Sequence, residues 1–149
     1  MATTPLSLTG RALRLLSARE HSRAELVRKL TQYEEEPGAL VKVLDILEAK
    51  DFINEGRVVE SVVHRRSGKL GVSRIKQELQ AKGLQPDAVA EAVQLLRVSE
   101  VERAREVWRK KFGTPPVDAA ERAKQMRFLA SRGFGGDTIR KVVSGGDED

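Results

Sequence analysis

Apolar residues recur along this chain at helical spacing, and capping residues, glycine and proline interrupt the pattern at intervals. One predicted helix carries apolar residues at i, i+3, i+4 and i+7: Leu40, Val43, Leu44 and Leu47. The β-branched pairs Val58-Val59 and Val62-Val63 are also four residues apart, which favours a helix over a strand. The pattern therefore predicts an all-α protein.

The helix boundaries can be predicted from capping chemistry. Ser, Thr, Asp and Asn accept hydrogen bonds from the free amides of a first turn, and Pro fits a first helical position. We predict nine helices in three groups of three. Eight of them start near Thr9, Ser22, Pro37, Asn54, Pro86, Ser99, Asp118 and Asp137, and one further helix carries Ile75 and Leu79 and ends at Gly83.

Two segments of the chain match each other without a gap at an offset of 50 residues. The segment 78–93 aligns with 128–143, so that Leu79 meets Leu129 and Gly83 meets Gly133. An internal repeat of this length indicates stacked structural units that share a core with their neighbours. The first group of helices matches the others more loosely, and its linker at 32–36 is acidic and longer.

The expected architecture is three tandem three-helix repeats stacked into an elongated, curved rod. We assign the repeats to residues 9–53, 54–98 and 99–144, with a flexible N-terminus at 1–8 and a disordered acidic tail at 145–149. No single repeat buries enough area to be stable alone, so the rod is held by the contacts between repeats. Nothing in the sequence demands a dimer, and we expect a monomer.

Composition excludes several kinds of protein. The chain of 149 residues has no cysteine, which rules out a disulfide scaffold, a thiolate metal site and a cysteine nucleophile. Aromatic residues make up only 4%, so the core is built from aliphatic side chains. No apolar stretch approaches the ~20 residues that span a bilayer, and we see no signal peptide. We expect a cytoplasmic protein.

The net charge of +5 is unevenly distributed along the chain. Residues 1–60 carry 9 Lys and Arg against 10 Asp and Glu, whereas residues 61–144 carry 18 against 9. A basic rear half favours a polyanionic partner, although a well-solvated surface accounts for the same composition.

Three basic surfaces are candidates for binding that partner. The first lies at 61–77, a stretch without acids, the second on the helix that contains Trp108 and Phe112, and the third in the last repeat. We predict contacts from Arg65, Arg66, Lys69, Arg74 and Lys76, then from Arg109, Lys110 and Lys111, and finally from Arg132, Arg140 and Lys141. Base stacking is one use of Trp108 and Phe112, but their helical spacing favours core packing.

The sequence offers no catalytic or metal-binding constellation. His21 and His64 are the only histidines, they lie in different repeats, and neither has a second ligand or a nucleophile at a recognisable spacing. The loop 67–71 lacks the Gly-Lys-Ser/Thr ending of a nucleotide-binding loop. We therefore expect no enzyme activity, no metal and no cofactor.

Three segments resemble the bacterial RecX family. The segment 12–26 resembles the opening of that family, 71–83 resembles its middle part, and 127–134 resembles its third repeat. The similarity covers about residues 9–144 in the expected order. The chain departs from the family at Val58 and Val62, where the family usually has aromatic residues.

The resemblance implies a function. Proteins of this family bind the RecA recombinase filament and modulate it, chiefly by inhibition. The basic rear half would then meet acidic recombinase surface, single- or double-stranded DNA, or both. The alternative is a helical nucleic-acid-binding protein that acts without a recombinase, since three-helix units resemble helix-turn-helix domains in outline.

Overall fold

The computed structural model describes residues 6–144, and this range contains eight α-helices and no strand. The helices are α1 Leu8–Ala18, α2 Arg23–Leu30, α3 Ala39–Ala49, α4 Glu55–Arg66, α5 Val72–Ala81, α6 Pro86–Lys111, α7 Ala119–Ser131 and α8 Gly136–Val143, with a 3₁₀ turn at Thr31–Tyr33. The all-α prediction is confirmed. None of the described helices has the length and apolar character needed to cross a membrane. The tail predicted at 145–149 and most of the flexible segment 1–8 lie outside the described residues.

Four of the eight predicted helix starts, at Ser22, Asn54, Pro86 and Asp118, are found in place. Ser22 and Glu25 form the reciprocal capping box of α2, while Asn54 and Asp118 each accept an amide hydrogen bond at the start of α4 and α7. Three predicted starts are wrong by one or two residues. Ser7 rather than Thr9 caps α1, α3 begins after Gly38 rather than at Pro37, and Asp137 lies inside the first turn of α8.

The predicted break at Ser99 is wrong, because α6 runs unbroken through it for 26 residues. Ser99 does not cap a helix. Its hydroxyl donates to the Leu96 carbonyl at 3.2 Å and accepts from Arg103 Nε at 3.0 Å, so the side chain is satisfied inside the helix. The nine predicted helices are therefore eight in the described part of the chain.

Each repeat has its own buried core. Leu26, Leu44 and their neighbours form the first, Ile75 and Leu79 lie in the second, and Leu129 lies in the third.

Helix α6 belongs to two of these cores, because Val89, Val93 and Leu96 pack in the second core and Ala104 packs in the third. Burying an aliphatic side chain of this size stabilises the fold by ~2 kcal/mol. The sharing of α6 joins the second and third repeats covalently and without a hinge.

Successive repeats meet through their middle helices, α2, α5 and α7. At the second joint, the Gly71 amide donates to the Arg132 carbonyl at 2.8 Å and the Ser73 amide to that of Gly133 at 3.2 Å. Arg74 Nη1 donates to the Ser131 carbonyl at 2.7 Å. The start of α5 thus binds the free carbonyls at the C-terminal end of α7, which otherwise lack partners.

At the first joint, residues of α2 and its N-cap bind the carbonyls at the C-terminal end of α5 in the same way. The Ser22 hydroxyl donates to the Lys82 carbonyl, and Arg28 Nη2 donates to the Ala81 carbonyl at 3.0 Å. The accepting residues Ala81 and Lys82 are offset by 50 from Ser131 and Arg132 at the second joint. An ion pair of 3.4 Å between Lys82 and Glu25 completes the first joint. The sequence repeat therefore encodes the contact between repeats as well as their cores.

Candidate partner-binding cleft

A cleft of about 820 Å³ lies beside the second joint and collects basic side chains from four parts of the chain. The end of α4 with the loop that follows it, α5, the end of α6, and the end of α7 each contribute to its wall. We call it the basic cleft. It is lined by Arg66, Gly68, Lys69, Leu70, Arg74, Gln77, Glu78, Val107, Lys110, Lys111, Phe128 and Arg132. Because the second joint fixes α5 against α7, the cleft residues carried by these two helices are also fixed relative to each other.

The structure brings together residues from all three predicted basic surfaces. Six of the eleven candidates line the basic cleft: Arg66, Lys69, Arg74, Lys110, Lys111 and Arg132. They are separated by up to 66 positions in sequence, so their convergence depends on the stacking of the repeats.

The other five candidates lie outside the cleft. Arg65 binds Glu78 at 3.3 Å, next to the lining residues, and Arg109 pairs with Glu106 at 2.7 Å on the exposed side of α6. Lys76 faces a separate groove with Gln80 and Arg97. The remaining two lie on α8 and do not line the cleft; they are Arg140, which pairs with Asp137, and Lys141.

One acid partly neutralises the basic cleft. Glu78 Oε1 accepts from Arg66 Nε at 2.9 Å, and its other oxygen accepts from Arg65. The stretch 61–77 has no acid, but the compensating carboxylate lies one residue beyond it. Glu78 lies on α5 between the buried residues Ile75 and Leu79. Its sequence position does not show that it pairs with Arg65 and Arg66, because that contact depends on the packing of α5 against α4.

Arg103 holds the loop that carries Lys69, a role that its sequence position did not reveal. Its guanidinium donates to the carbonyls of Ser67 at 2.9 Å and Leu70 at 2.6 Å, and also to that of Leu96. Burial lowers the pKa of Arg103, against the opposing effect of the Glu100 carboxylate. This arginine is therefore a positioning residue for the basic cleft and not part of its exposed charge.

The aromatic rings serve mainly in packing, as their spacing predicted. Trp108 packs against the third core, and its Nε1 donates to Gln125 Oε1 at 2.8 Å. Phe112 meets Phe128 edge to face, with ring centroids 5.5 Å apart. Phe128 also contacts two cations of the cleft, with Arg132 4.9 Å and Lys111 5.3 Å from its centroid. Phe128 thus helps to orient the cationic wall.

Neither histidine belongs to the cleft, and no group of three or more potential metal ligands occurs among the described residues. His21 is buried in the first repeat, where its Nδ1 lies 3.0 Å from the Arg19 carbonyl and its Nε2 lies 3.0 Å from Lys29 Nζ. Burial lowers the pKa of His21, and the charges of Arg19 and Lys29 lower it further. The neutral ring accepts from Lys29 and donates to the backbone, which is a structural role.

Comparison with known proteins identifies the scaffold. Three family models match in chain order: the first three-helix domain of RecX at 10–50, the second at 54–93 and the third at 99–143. The regulatory protein RecX of Leptothrix cholodnii is 55% identical over 138 residues, which are 93% of this chain and 88% of the relative. That of Herminiimonas arsenicoxydans is 49% identical and covers 99% of this chain and 98% of its own length.

A solved structure shows the same fold. RecX from Lactobacillus salivarius superposes with a TM-score of 0.77 over 94% of each chain, at 22% sequence identity. The relatives are named as regulatory proteins and not as an enzyme family. With all three domain models matched and high identity over nearly the whole length, the chain belongs to the RecX family of regulatory proteins.

Proposed function

We propose that the protein regulates the RecA recombinase, chiefly as an inhibitor, by binding as a monomer in the helical groove of the RecA–DNA filament in the cytoplasm. The observation that carries this proposal is the basic cleft on a row of three joined repeats. Six cations converge there from four parts of the chain. A row of repeats presents its binding surface over several turns of helix, which suits a partner that repeats along an axis.

The mechanism is one of obstruction, with no chemistry of its own. A protein bound in the groove contacts successive recombinase protomers, impedes their rearrangement during ATP hydrolysis and occupies the space that a second DNA molecule needs for strand exchange. Binding at a filament end by the same surface slows growth. All three effects require the basic cleft to reach the filament, so they are lost together when its charge is removed.

The test is DNA-dependent ATP hydrolysis by the cognate recombinase, with and without this protein. Inhibition at substoichiometric amounts, accompanied by shorter filaments in electron microscopy, supports the proposal. The matched variants are Lys69→Glu with Lys110→Glu in the cleft and, as the control, Lys42→Glu on α3 with Lys50→Glu directly after it, where both lysines are exposed. An unchanged rate with wild-type protein contradicts the proposal.

A DNA-binding protein that acts without a recombinase is the second candidate. The observation that favours it is that the side chains of Lys69 and Lys110 have no hydrogen bond or ion pair in the described part of the chain and are free to meet phosphates. Binding to phosphates weakens steeply with salt. If inhibition of ATP hydrolysis disappears in step with affinity for bare DNA as salt rises, this candidate replaces the first.

A further inference from the structure

We propose that the basic cleft binds an acidic peptide segment that carries one apolar side chain. This inference rests on the proposed function, since the segment would belong to the protein partner. It goes beyond that function by assigning the cleft to protein and not to DNA phosphates. The argument depends on the apolar floor, the state of Phe128 and the distribution of free cations.

Three of the residues that line the cleft are apolar, and we call them its floor. Leu70, Val107 and Phe128 form it, and each is only partly buried. Leu70 packs against the second core, whereas Val107 and Phe128 pack against the third, so the floor extends across the second joint. A phosphodiester backbone has no group that gains from this surface. A leucine or phenylalanine side chain gains free energy in proportion to the apolar area that it covers.

Phe128 is poorly placed to stack on a base. Arg132 and Lys111 approach its ring, and Phe112 packs against it at an interplanar angle of 88°. Proteins that bind single-stranded nucleic acid through stacking expose aromatic faces. In this cleft the cations already contact the ring, which leaves its remaining edge, with Leu70 and Val107, for an aliphatic or aromatic side chain.

The rim suits several separate carboxylates. Six cations against the single carboxylate of Glu78 leave a formal charge of +5 around the cleft. Lys69 on the α4–α5 loop and Lys110 near the end of α6 are unpaired, and each can bind one carboxylate. Arg66 already binds Glu78 and Arg74 already donates to the Ser131 carbonyl, so an incoming acid competes with Glu78 for Arg66. The site therefore favours acids that flank an apolar residue.

Direct binding of synthetic probes tests the inference without any recombinase. The probes are a fluorescein-labelled decapeptide of Asp and Glu with one central Leu, the same peptide with central Ser, and a labelled ten-nucleotide oligothymidylate. Fluorescence anisotropy is measured with each at about 0.15 M salt. We expect the Leu peptide to bind about tenfold more tightly than the Ser peptide, because only the former covers the floor.

Two variants locate the binding. Lys69→Glu with Lys110→Glu is expected to weaken binding of the Leu peptide at least tenfold, whereas Lys42→Glu on α3 with Lys50→Glu directly after it leaves that affinity unchanged. Leu70→Ser is expected to reduce the affinity for the Leu peptide to that for the Ser peptide. Leu70→Ser also touches the second core, so a second measurement uses the wild-type protein. The bound Leu peptide is expected to protect Lys69 and Lys110 from chemical acetylation, and mass spectrometry measures that protection and so locates the peptide without a substitution.

Several results would overturn the inference. Equal affinity for the Leu and Ser peptides removes the role of the floor. Tighter binding of the oligothymidylate, with displacement of the peptide, assigns the cleft to nucleic acid. Peptide binding that survives the paired charge reversal places the site elsewhere. A failure of peptide binding with intact inhibition of ATP hydrolysis rejects this inference alone, while the reverse result rejects the proposed function alone.

Discussion

Arg103 shows how a single half-buried guanidinium organises an exposed site. It donates to three backbone carbonyls, two of them in the loop that carries Lys69. A lysine keeps the charge but cannot present several donors in a planar fork. We expect Arg103→Lys to lower the free energy of unfolding by about 1–3 kcal/mol, because it leaves partly buried carbonyls unsatisfied, and to speed amide exchange at Gly68 and Lys69.

The matched control is Arg97→Lys on the same helix, since Arg97 is exposed and its side chain makes no hydrogen bond or ion pair among the described residues. Urea unfolding and hydrogen exchange measure both variants. If Arg103→Lys and Arg97→Lys exchange alike at Gly68 and Lys69, Arg103 does not position the loop.

Gly133 is required for two separate reasons, and the chain contains the controls that separate them. Its φ of +92° lies in the left-handed region, and a Cβ there would come 2.7 Å from Arg74 Cβ. Gly38 has a similar φ of +87° with no heavy atom within 4 Å of an added Cβ. We expect Gly38→Ala to cost ~1 kcal/mol from backbone strain alone and Gly133→Ala to cost clearly more.

The same comparison applies at Gly83, whose Cβ would come 2.6 Å from Ala24 Cβ at the first joint. Ala24 and Arg74 are themselves 50 residues apart. Gly68→Ala, which has neither a positive φ nor a neighbour within 4 Å, should be neutral. Thermal unfolding ranks the four variants. Equal losses at Gly38 and Gly133 would show that the joint does not exclude a side chain there.

At the scale of helices, the packing of α2 against the end of α5 depends on charge. Burial alone would raise the pKa of Glu25, but hydrogen bonds from Arg19 and the Ser22 amide, with the charge of Lys82, lower it to about 2 from its ordinary 4.5. Burial also lowers the pKa of His21 below its ordinary 6.5. In both cases the unfolded chain binds the proton more readily than the folded one.

We therefore expect the free energy of unfolding to fall as the pH drops. The contribution of neutral His21 is complete above pH 6.5 and declines below it, and that of Glu25 is complete above 4.5 and is lost toward pH 2. Urea unfolding across this range measures the loss. Glu25→Gln should flatten the pH dependence of the free energy of unfolding below pH 4.5. An unchanged pH dependence in that variant would mean that Glu25 does not hold the joint.

The helices show where sequence reasoning succeeds and where it stops. Ser22, Asn54 and Asp118 were predictable as caps because the bond they make is local. The chemistry of Ser99 equally permits a cap, and its use inside α6 depends on Arg103 and on the packing of both halves of that helix. The cations were identifiable by composition. Their convergence on one cleft, and the role of Glu78, follow from tertiary contacts that no local pattern encodes.

At the scale of the whole molecule, the contacts between repeats predict an extended shape. The hydrogen bonds and ion pairs recorded between repeats in residues 6–144 join only the first to the second and the second to the third. A compact protein of 149 residues has a radius of gyration of about 15 Å. We expect small-angle scattering to give a clearly larger value with an asymmetric distance distribution, and a value near 15 Å would contradict the rod.

The end of the row at α2 also predicts that the protein stays monomeric. A further copy would have to dock the start of its α7 on the end of α2, where the chain passes into the 3₁₀ turn Thr31–Tyr33 and has no glycine. Arg11 stacks over the ring of Tyr33 at 3.7 Å from its centroid, so a bulky stacked pair lies beyond the end of α2, whereas α5 and α7 are each followed two residues later by a glycine. Sedimentation should therefore give a single species of about 16.5 kDa at all concentrations. Tyr33→Gly, with Tyr33→Phe as its control, tests whether the ring is the obstacle. Self-association that appears only in the glycine variant supports the role of Tyr33. Self-association of the unmodified chain would show that the row is not closed at its end.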